Sequence, residues 1–572
     1  MPRISAIELE NFQSIGTRTR FELKPITLLF GPNSAGKSAI FDAIELLRLT
    51  LDPLLFDEKK VTDMIDRWAR HEGNSDIRET FVAVEFQVDL SVEPQDVWWT
   101  KRGSHSSKSY FPSIYWDESI LEDYGFTSNA GARIELRFRI QNHKTYEDCF
   151  ISESKCYLNG KVVAAVRKRF QNEGEALQHD VSAEDDQKDD ATRFLLIPAR
   201  SENIFLTNGE LGSSQDLLND DELGPYVHAL HICSNLSPFD ITPSLLGEKD
   251  STSHLLCQNL TDIFFYLGTS LCGPWRDKPG LVRGDRRTPT PKEASVFVDL
   301  ELGGWWSRNR QSPSSPATLL KEMSSSVDEH VKAMAFLAHA DAIYRASNVD
   351  FWGDSHAAKH LKDLKELSDH LARLNKHLEA GLFREKLYQL SSESTLMVPL
   401  DFGENSPNGY YLLAQPAAVR LMLRDQSGMK LELQDVGSGI PYVLPVLYSA
   451  TSSGFSMIQQ PELHLHPALQ SAVADIFIEE FNEHHDSQFL IETHSEHLLL
   501  RILRRIRDTE KKKSLSSSLE ITNSQVAVYY FDPKVDQETQ VTSLPISPLG
   551  DFYTDWPRGF FEERNDDLFE ED

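Results

Sequence analysis

The chain has 572 residues, with 58 Lys+Arg against 88 Asp+Glu and a formal net charge of −30. This balance favours solubility and argues against general polyanion binding, so any nucleic-acid contact must come from a local basic patch or from a partner. At this length two structural units are expected, because single cores rarely grow beyond about 250–300 residues.

Cys149, Cys156, Cys233, Cys257 and Cys272 are scattered without Cys-x-x-Cys spacing, which suggests neither a zinc site nor a disulfide framework and places the chain in the reducing cytoplasm. The opening leads straight into an alternating strand, and no unbroken apolar run of about 18 residues occurs, so neither a signal peptide nor a membrane span is expected.

Ile4, Ala6 and Leu9 alternate with polar residues as a first strand, and the nearly continuous apolar run from Ile26 to Phe30 suits a strand covered on both faces. That run enters Gly31-Pro32-Asn33-Ser34-Ala35-Gly36-Lys37-Ser38, and helical spacing begins at Ala39. Strand, glycine loop and helix in this order form a phosphate cradle: Gly31 and Gly36 let the backbone curl so that its N–H groups surround an anion at the positive end of the helix. Lys37 is placed to reach the β/γ-phosphates of ATP, and Ser38 to ligate Mg²⁺.

Period-two runs over 80–89 and 132–140 predict an antiparallel sheet flanking this core. Gln87 and Gln141 are alternatives for a glutamine touching Mg²⁺ and γ-phosphate, and neither is assigned. Residues 181–190 form an acidic, apolar-poor loop. From about 325 to 394 the pattern turns helical, with Leu361, Leu364, Leu367, Leu371, Leu374 and Leu378 at three- and four-residue steps. The stripe is too short for an extended coiled coil and predicts a packed helical subdomain.

Residues 429–434 alternate as a strand before Gly437-Ser438-Gly439 and a helix with Pro441 in its first turn. A serine hydroxyl and free N–H groups at a helix start make a second anion device. One molecule cannot readily direct both loops at one γ-phosphate, whereas a head-to-tail dimer can.

An apolar strand then runs into Gln459-Gln460-Pro461-Glu462-Leu463-His464-Leu465-His466-Pro467, and another ends in Glu492-Thr493-His494-Ser495-Glu496-His497. Both should finish at the carboxyl edge of a parallel sheet, where open α/β sheets bind ligands. His494 there can hydrogen-bond a γ-phosphate. Arg501, Arg504, Arg505, Arg507 and Lys511 to Lys513 form a basic stretch that would either hold DNA or RNA phosphates or complement a helix dipole.

In this order the four segments resemble the Walker A, signature, Walker B with D-loop, and switch-histidine motifs of ABC/SMC/RecF-like ATPases, including the ATPase half of OLD-family proteins. The resemblance covers roughly 1–50 and 395–572. It implies an α/β ABC-ATPase head with a largely parallel core sheet, a flanking antiparallel sheet and a large, mainly helical insertion. The expected division is 1–200 for the first half of the head, 201–394 for the insertion and 395–572 for the second half. ATP and Mg²⁺ are the implied ligands, and a homodimer or higher homo-oligomer closed through composite sites is the implied assembly.

The ending Trp556-Pro557-Arg558-Gly559-Phe560-Phe561 resembles the tail of a subgroup that includes Septu-type anti-phage ATPases. This implies an effector nuclease encoded nearby. A RecF-like ATPase that clamps DNA directly is the alternative. Too few residues follow His494 for an OLD-type nuclease domain, so no nuclease activity is expected of the chain itself.

One departure stands out. Gln459 occupies the position of the acidic Walker B residue and Gln460 that of the general base, leaving Glu462 as the nearby carboxylate. An amide neither polarises water as a carboxylate does nor partners Mg²⁺ as well. Three possibilities follow: slow hydrolysis supported by Glu462 and His494, a sensor that binds without turnover, or an engineered Glu-to-Gln replacement that traps ATP.

Overall fold

A computed structural model describes residues 3–51, 77–89, 129–142, 147–169, 195–198, 204–207, 210–213, 270–272, parts of 334–345, 355–383, 387–396, 416–533 (except 434, 438, 453, 485–486 and 514–515) and 538–554. The acidic loop at 181–190 and the Trp-Pro-x-Gly-Phe-Phe tail lie outside the described residues.

The first part comprises β1 (Arg3–Glu10), β2 (Thr19–Glu22), β3 (Ile26–Phe30), α1 (Ala39–Leu51), β4 (Ile77–Asp89), β5 (Asn129–Asn142), β6 (Glu147–Leu158), β7 (Lys161–Arg169) and β8 (Leu195–Pro198). The middle part contributes β9 (Ile204–Thr207), β10 (Glu210–Ser213), β11 (Ser270–Cys272), α2 (Ser355–Lys376), a π-helical turn over His377–Leu382, and β12 (Gln389–Leu396). The last part holds β13 (Pro416–Arg424), β14 (Lys430–Glu432), α3 (Gly439–Thr451), β15 (Phe455–Gln459), α4 (Pro467–Glu483), β16 (Gln488–Glu492), α5 (Glu496–Glu510), β17 (Val526–Asp532) and β18 (Gln540–Ser543).

Among the described residues, the core sheet has the order β11-β15-β16-β3-β17-β18 and is parallel except for β18. A second sheet, β2-β1-β4-β5-β6-β7-β8, is antiparallel except for the β7–β8 pair, as the alternating runs predict. The two sheets are tied by a buried amide: the Gln488 side chain accepts from Ile4 N at 3.1 Å and donates to Ile4 O at 2.7 Å.

The continuous apolar strands follow from burial on both faces. Along β3, Ile26, Leu28 and Phe30 enter one core with residues of α2, α3, α4 and α5, while Leu29 enters another with α1 and the antiparallel sheet. In β17, Val526, Val528 and Tyr530 point to the first core, and Ala527, Tyr529 and Phe531 to the second. Strand side chains alternate across a sheet, so a sheet covered twice favours near-continuous hydrophobic strands. Each fully buried large apolar side chain contributes about 1.5–3 kcal/mol of transfer free energy, which anchors the strand ends that carry the polar residues.

The helical expectation for 325–394 holds over α2, where Leu367, Leu371 and Leu374 are buried, and through Leu378 in the π-helical turn. It fails beyond that. Residues 389–396 form β12, and pairing with the distant β13, antiparallel, sets the strand. Residues 270–272, inside the stretch assigned to the insertion, lie parallel to β15 and extend the core sheet.

Candidate nucleotide-binding site

The loop at residues 31–38 joins the centre of the core sheet to α1. At Gly31 (φ 145°) a Cβ would stand 2.5 Å from Phe531 O, and at Gly36 (φ 85°) it would stand 1.7 Å from Ser14 Oγ, so both positions require glycine. Ser34 also takes a positive φ of 62°. The turn is held by Ala35 N donating to Pro32 O at 3.3 Å and Ala39 N to Gly36 O at 3.0 Å. Pro32, Gly36 and Ser38 are half-buried, and Asn33 and Ser34 face solvent.

Lys37 is 3% exposed, and its ammonium donates to Gly31 O at 2.9 Å and Pro32 O at 2.8 Å. Burial lowers its pKa, opposed by the neighbouring Glu492 carboxylate. Their 3.7 Å separation is an ion pair without a hydrogen bond.

Braces from both ends of the chain support the loop. Thr539 donates through Oγ1 to Ala35 O at 3.1 Å and through its backbone N to Ser14 O at 2.9 Å. Gln13 Nε2 donates to Asp42 in the first turn of α1 at 2.5 Å.

Beside the loop lie the ends of β15 and β16. Gln459 and Glu492 are register partners, and Glu492 pairs in turn with Leu29 of β3. Gln459 Nε2 donates to Glu492 Oε2 at 3.1 Å, and Gln460 N donates to Glu492 O at 2.7 Å. Burial pushes the Glu492 carboxyl pKa up, opposed by the nearby ammonium of Lys37. Gln460 (φ 47°) and His464 (φ 62°) hold left-handed conformations rare for such residues, a local strain typical of functional segments.

Both carboxylate oxygens of Glu462 accept hydrogen bonds from the segment after β16. Its Oε2 accepts from Thr493 Oγ1 at 2.8 Å and its Oε1 from His494 N at 2.7 Å, so both oxygens brace the segment after β16. Thr493 N donates to Leu29 O at 3.1 Å, tying that segment to the loop strand. His494 Nε2 is buried without a hydrogen-bond partner. Burial, aided by the positive charge of Lys37, lowers the His494 pKa to about 4, so its ring is neutral at physiological pH.

The glycine loop at 437–439 is described at Gly437 and Gly439. Gly437 is exposed, with nothing within 4 Å of a Cβ built on it, and Ser438 lies outside the described residues. Gly439 opens α3, where a Cβ would stand 3.5 Å from His464 O, and Tyr442 packs on the His464 ring at 4.2 Å. His466 and Ser495 are helix caps: His466 Nδ1 accepts from Ala468 N at 3.3 Å, and Ser495 Oγ from Leu498 N at 3.1 Å. Gln87 and Gln141 both lie in the antiparallel sheet, on β4 and β5.

Five of the seven basic side chains in this stretch have acidic partners within the chain. Arg505 is bidentate on Asp475 at 2.8 Å, and Arg501 stands 3.6 Å from the same carboxylate. Arg507 meets Asp551 at 2.7 Å, while Arg504 and Lys513 meet Asp508 at 3.5 and 2.6 Å.

Sequence patterns brought residues 31–38, 459–462 and 494 into one site but missed Ser14, Thr539 and the position of Glu492. Strand order and contacts between the chain ends set those three, and no local spacing announces them.

A Mg²⁺-nucleotide fits this arrangement. Glycines whose Cβ positions are already filled, a loop lysine over the helix start, an adjacent buried carboxylate and an unpartnered imidazole nitrogen suit a phosphate with its cation. The fold and site define a P-loop nucleotide-binding protein. Residues 3–197 and 320–499 match the AAA ATPase domain family, and the chain belongs to it.

Residues 521–570 match a family described as a protein of unknown function (DUF3696). No curated protein matches the chain. Among solved structures, it is similar to an SmcHead bound to the C-winged helix domain of ScpA (12% identity, 95% of this chain and 98% of that one, TM-score 0.38). It is also similar to the SMC head domain from Thermotoga maritima (10%, 95% and 99%, TM-score 0.31) and to the recombination mediator protein RecF-ATPrS in the RecFOR pathway (9%, 94% and 98%, TM-score 0.32). Among the described residues, no helix is long and apolar enough to cross a membrane.

Proposed function

We propose that the chain binds ATP with Mg²⁺ at residues 31–38, pairs head to tail with a second copy through the loop at 437–439, and thereby controls a separately encoded effector. The effector inferred from the tail resemblance is a nuclease of an anti-phage system. The observation that carries the nucleotide site is the meeting of Lys37, Glu492 and the unpartnered His494 nitrogen at the carboxyl edge of the core sheet. Bound Mg²⁺ would offset phosphate charge. Lys37 turns from the loop carbonyls to the β/γ-phosphates, and the neutral imidazole of His494 offers one hydrogen bond to the terminal phosphate. The exposed Gly437, with open space about its Cα, suits completion of a site on another copy.

Direct DNA clamping through the basic stretch has less support, because its guanidinium groups are paired with Asp475, Asp508 and Asp551.

Lys37→Ala tests the site. Loss of one charge-assisted contact, about 1.5–3 kcal/mol, lowers ATP affinity at least tenfold in a folded protein. A mixture of Lys37→Ala with a Ser438→Arg protein tests pairing in trans: mixed dimers hold one intact composite site and recover part of the ATP-dependent function. Undiminished ATP binding by Lys37→Ala contradicts the site, and mixed dimers without recovery contradict the pairing.

A further inference from the structure

The end of β15 carries no carboxylate, yet a carboxylate lies one strand closer to the nucleotide loop. Strand β16 runs between β15 and β3, and Glu492 closes it, with Gln459 as its register partner on one side and Leu29, two residues before Gly31, on the other. Its oxygens have separate partners. Gln459 Nε2 holds Oε2 at 3.1 Å, while Oε1 stands 3.7 Å from Lys37 Nζ.

A side chain 11% exposed requires compensation for its charge, and Lys37 supplies it while its ammonium rests on the loop carbonyls. Once Lys37 engages a phosphate, that compensation is divided. The cation arriving with a nucleotide is Mg²⁺, a hard ion that takes carboxylate oxygens and water.

The amide at position 459 has a defined part in the same arrangement. A carboxylate there would face Glu492 across about 3 Å, and two buried like charges at that distance do not both ionise. An amide instead donates a hydrogen bond and fixes which Glu492 oxygen faces Lys37.

Resting on the nucleotide-site reading above, we infer that Glu492 is the carboxylate that holds Mg²⁺ beside the phosphates, and that Gln459 positions it. The carboxylate thus stands on β16 and the amide on β15.

The test separates metal affinity from nucleotide affinity. Mn²⁺ binding to the protein–ATP complex is followed by electron paramagnetic resonance, and ATP binding is measured in EDTA, for the parent, Glu492→Gln and the Gln459→Glu/Glu492→Gln double variant. Glu492→Gln is expected to weaken Mn²⁺ binding roughly 10–100-fold. It should also tighten metal-free ATP, because a buried negative charge near the phosphates is gone. Opposite shifts of the two affinities are not expected from a purely structural role. The double variant, with its acid restored on β15, should regain part of the metal affinity.

Unchanged Mn²⁺ affinity in a folded Glu492→Gln protein overturns the inference and leaves the nucleotide site standing. Failure of the parent to bind ATP with or without metal overturns both. If Glu492→Gln does not fold, Glu492→Asp retracts the same charge by one methylene and should weaken Mn²⁺ binding several-fold; an unchanged value there also overturns the inference.

Discussion

Replacing Glu462 separates a catalytic carboxylate from a structural one. Glu462 accepts from Thr493 Oγ1 at 2.8 Å and from His494 N at 2.7 Å, and Thr493 is fully buried. Hydrogen bonds to a charged group contribute about 1.5–3 kcal/mol each, so Glu462→Ala frees the segment carrying His494. Loss of the amide bond alone corresponds to about 10- to 150-fold faster hydrogen exchange at His494. Glu462→Gln keeps the shape: its carbonyl accepts from His494 N, and its NH₂ can donate to Thr493 Oγ1. Exchange at 493–495 should therefore be fast in the alanine variant and near parent in the glutamine variant, with ATP binding retained in the latter. Single-turnover ATP cleavage should likewise change less than tenfold in Glu462→Gln. A drop of about 10²–10⁴-fold in a glutamine variant with parent-like exchange would identify Glu462 as the general base and refute the bracing role.

Two further outcomes follow from the site. Because His494 titrates near 4 in the folded chain and near 6.5 unfolded, the unfolded state binds more protons between these values; stability falls as pH drops from about 6.5 towards 4, and His494→Asn should flatten that part of a denaturation series. Gly31→Ala places a Cβ 2.5 Å from Phe531 O in a left-handed backbone, so it should lower the unfolding midpoint and weaken ATP binding together; parent-like values for both would contradict the packing of the loop on β17.

What the sequence disclosed was local. Ile26 to Phe30 is apolar at every position but Thr27 because its strand separates two cores, and the glycine loop needs only its neighbouring strand and helix to be recognised. The leucine steps through Leu378 were legible for the same reason, whereas β12 depends on its pairing with β13, which is distant in the chain. Ser14 and Thr539 meet at the loop from opposite ends of the chain, which no window of sequence reveals. Glu492 stood in a visible strand end, but its relation to Lys37 rests on β16 lying between β15 and β3. Strand order, unlike periodicity, is set by packing.

The rate of ATP cleavage is the remaining consequence of the two glutamines, and their positions divide it. Gln460 occupies the general-base position suggested by motif order, and its backbone is fixed by a 2.7 Å bond to Glu492 O at a φ of 47°. Gln460→Glu preserves side-chain length and leaves that backbone strain unchanged, so its effect reports the chemistry of one carboxylate. A general base contributes typically about 10²–10⁴-fold. The parent should cleave ATP very slowly while still responding to its binding, and Gln460→Glu should raise the single-turnover rate at least tenfold. Gln459→Glu should not. Its new carboxylate would face Glu492 where the amide now donates at 3.1 Å, and one of the pair would take up a proton. If the parent already cleaves ATP at a rate that Gln460→Glu leaves unchanged, the working base lies elsewhere and position 460 has no part in activating water.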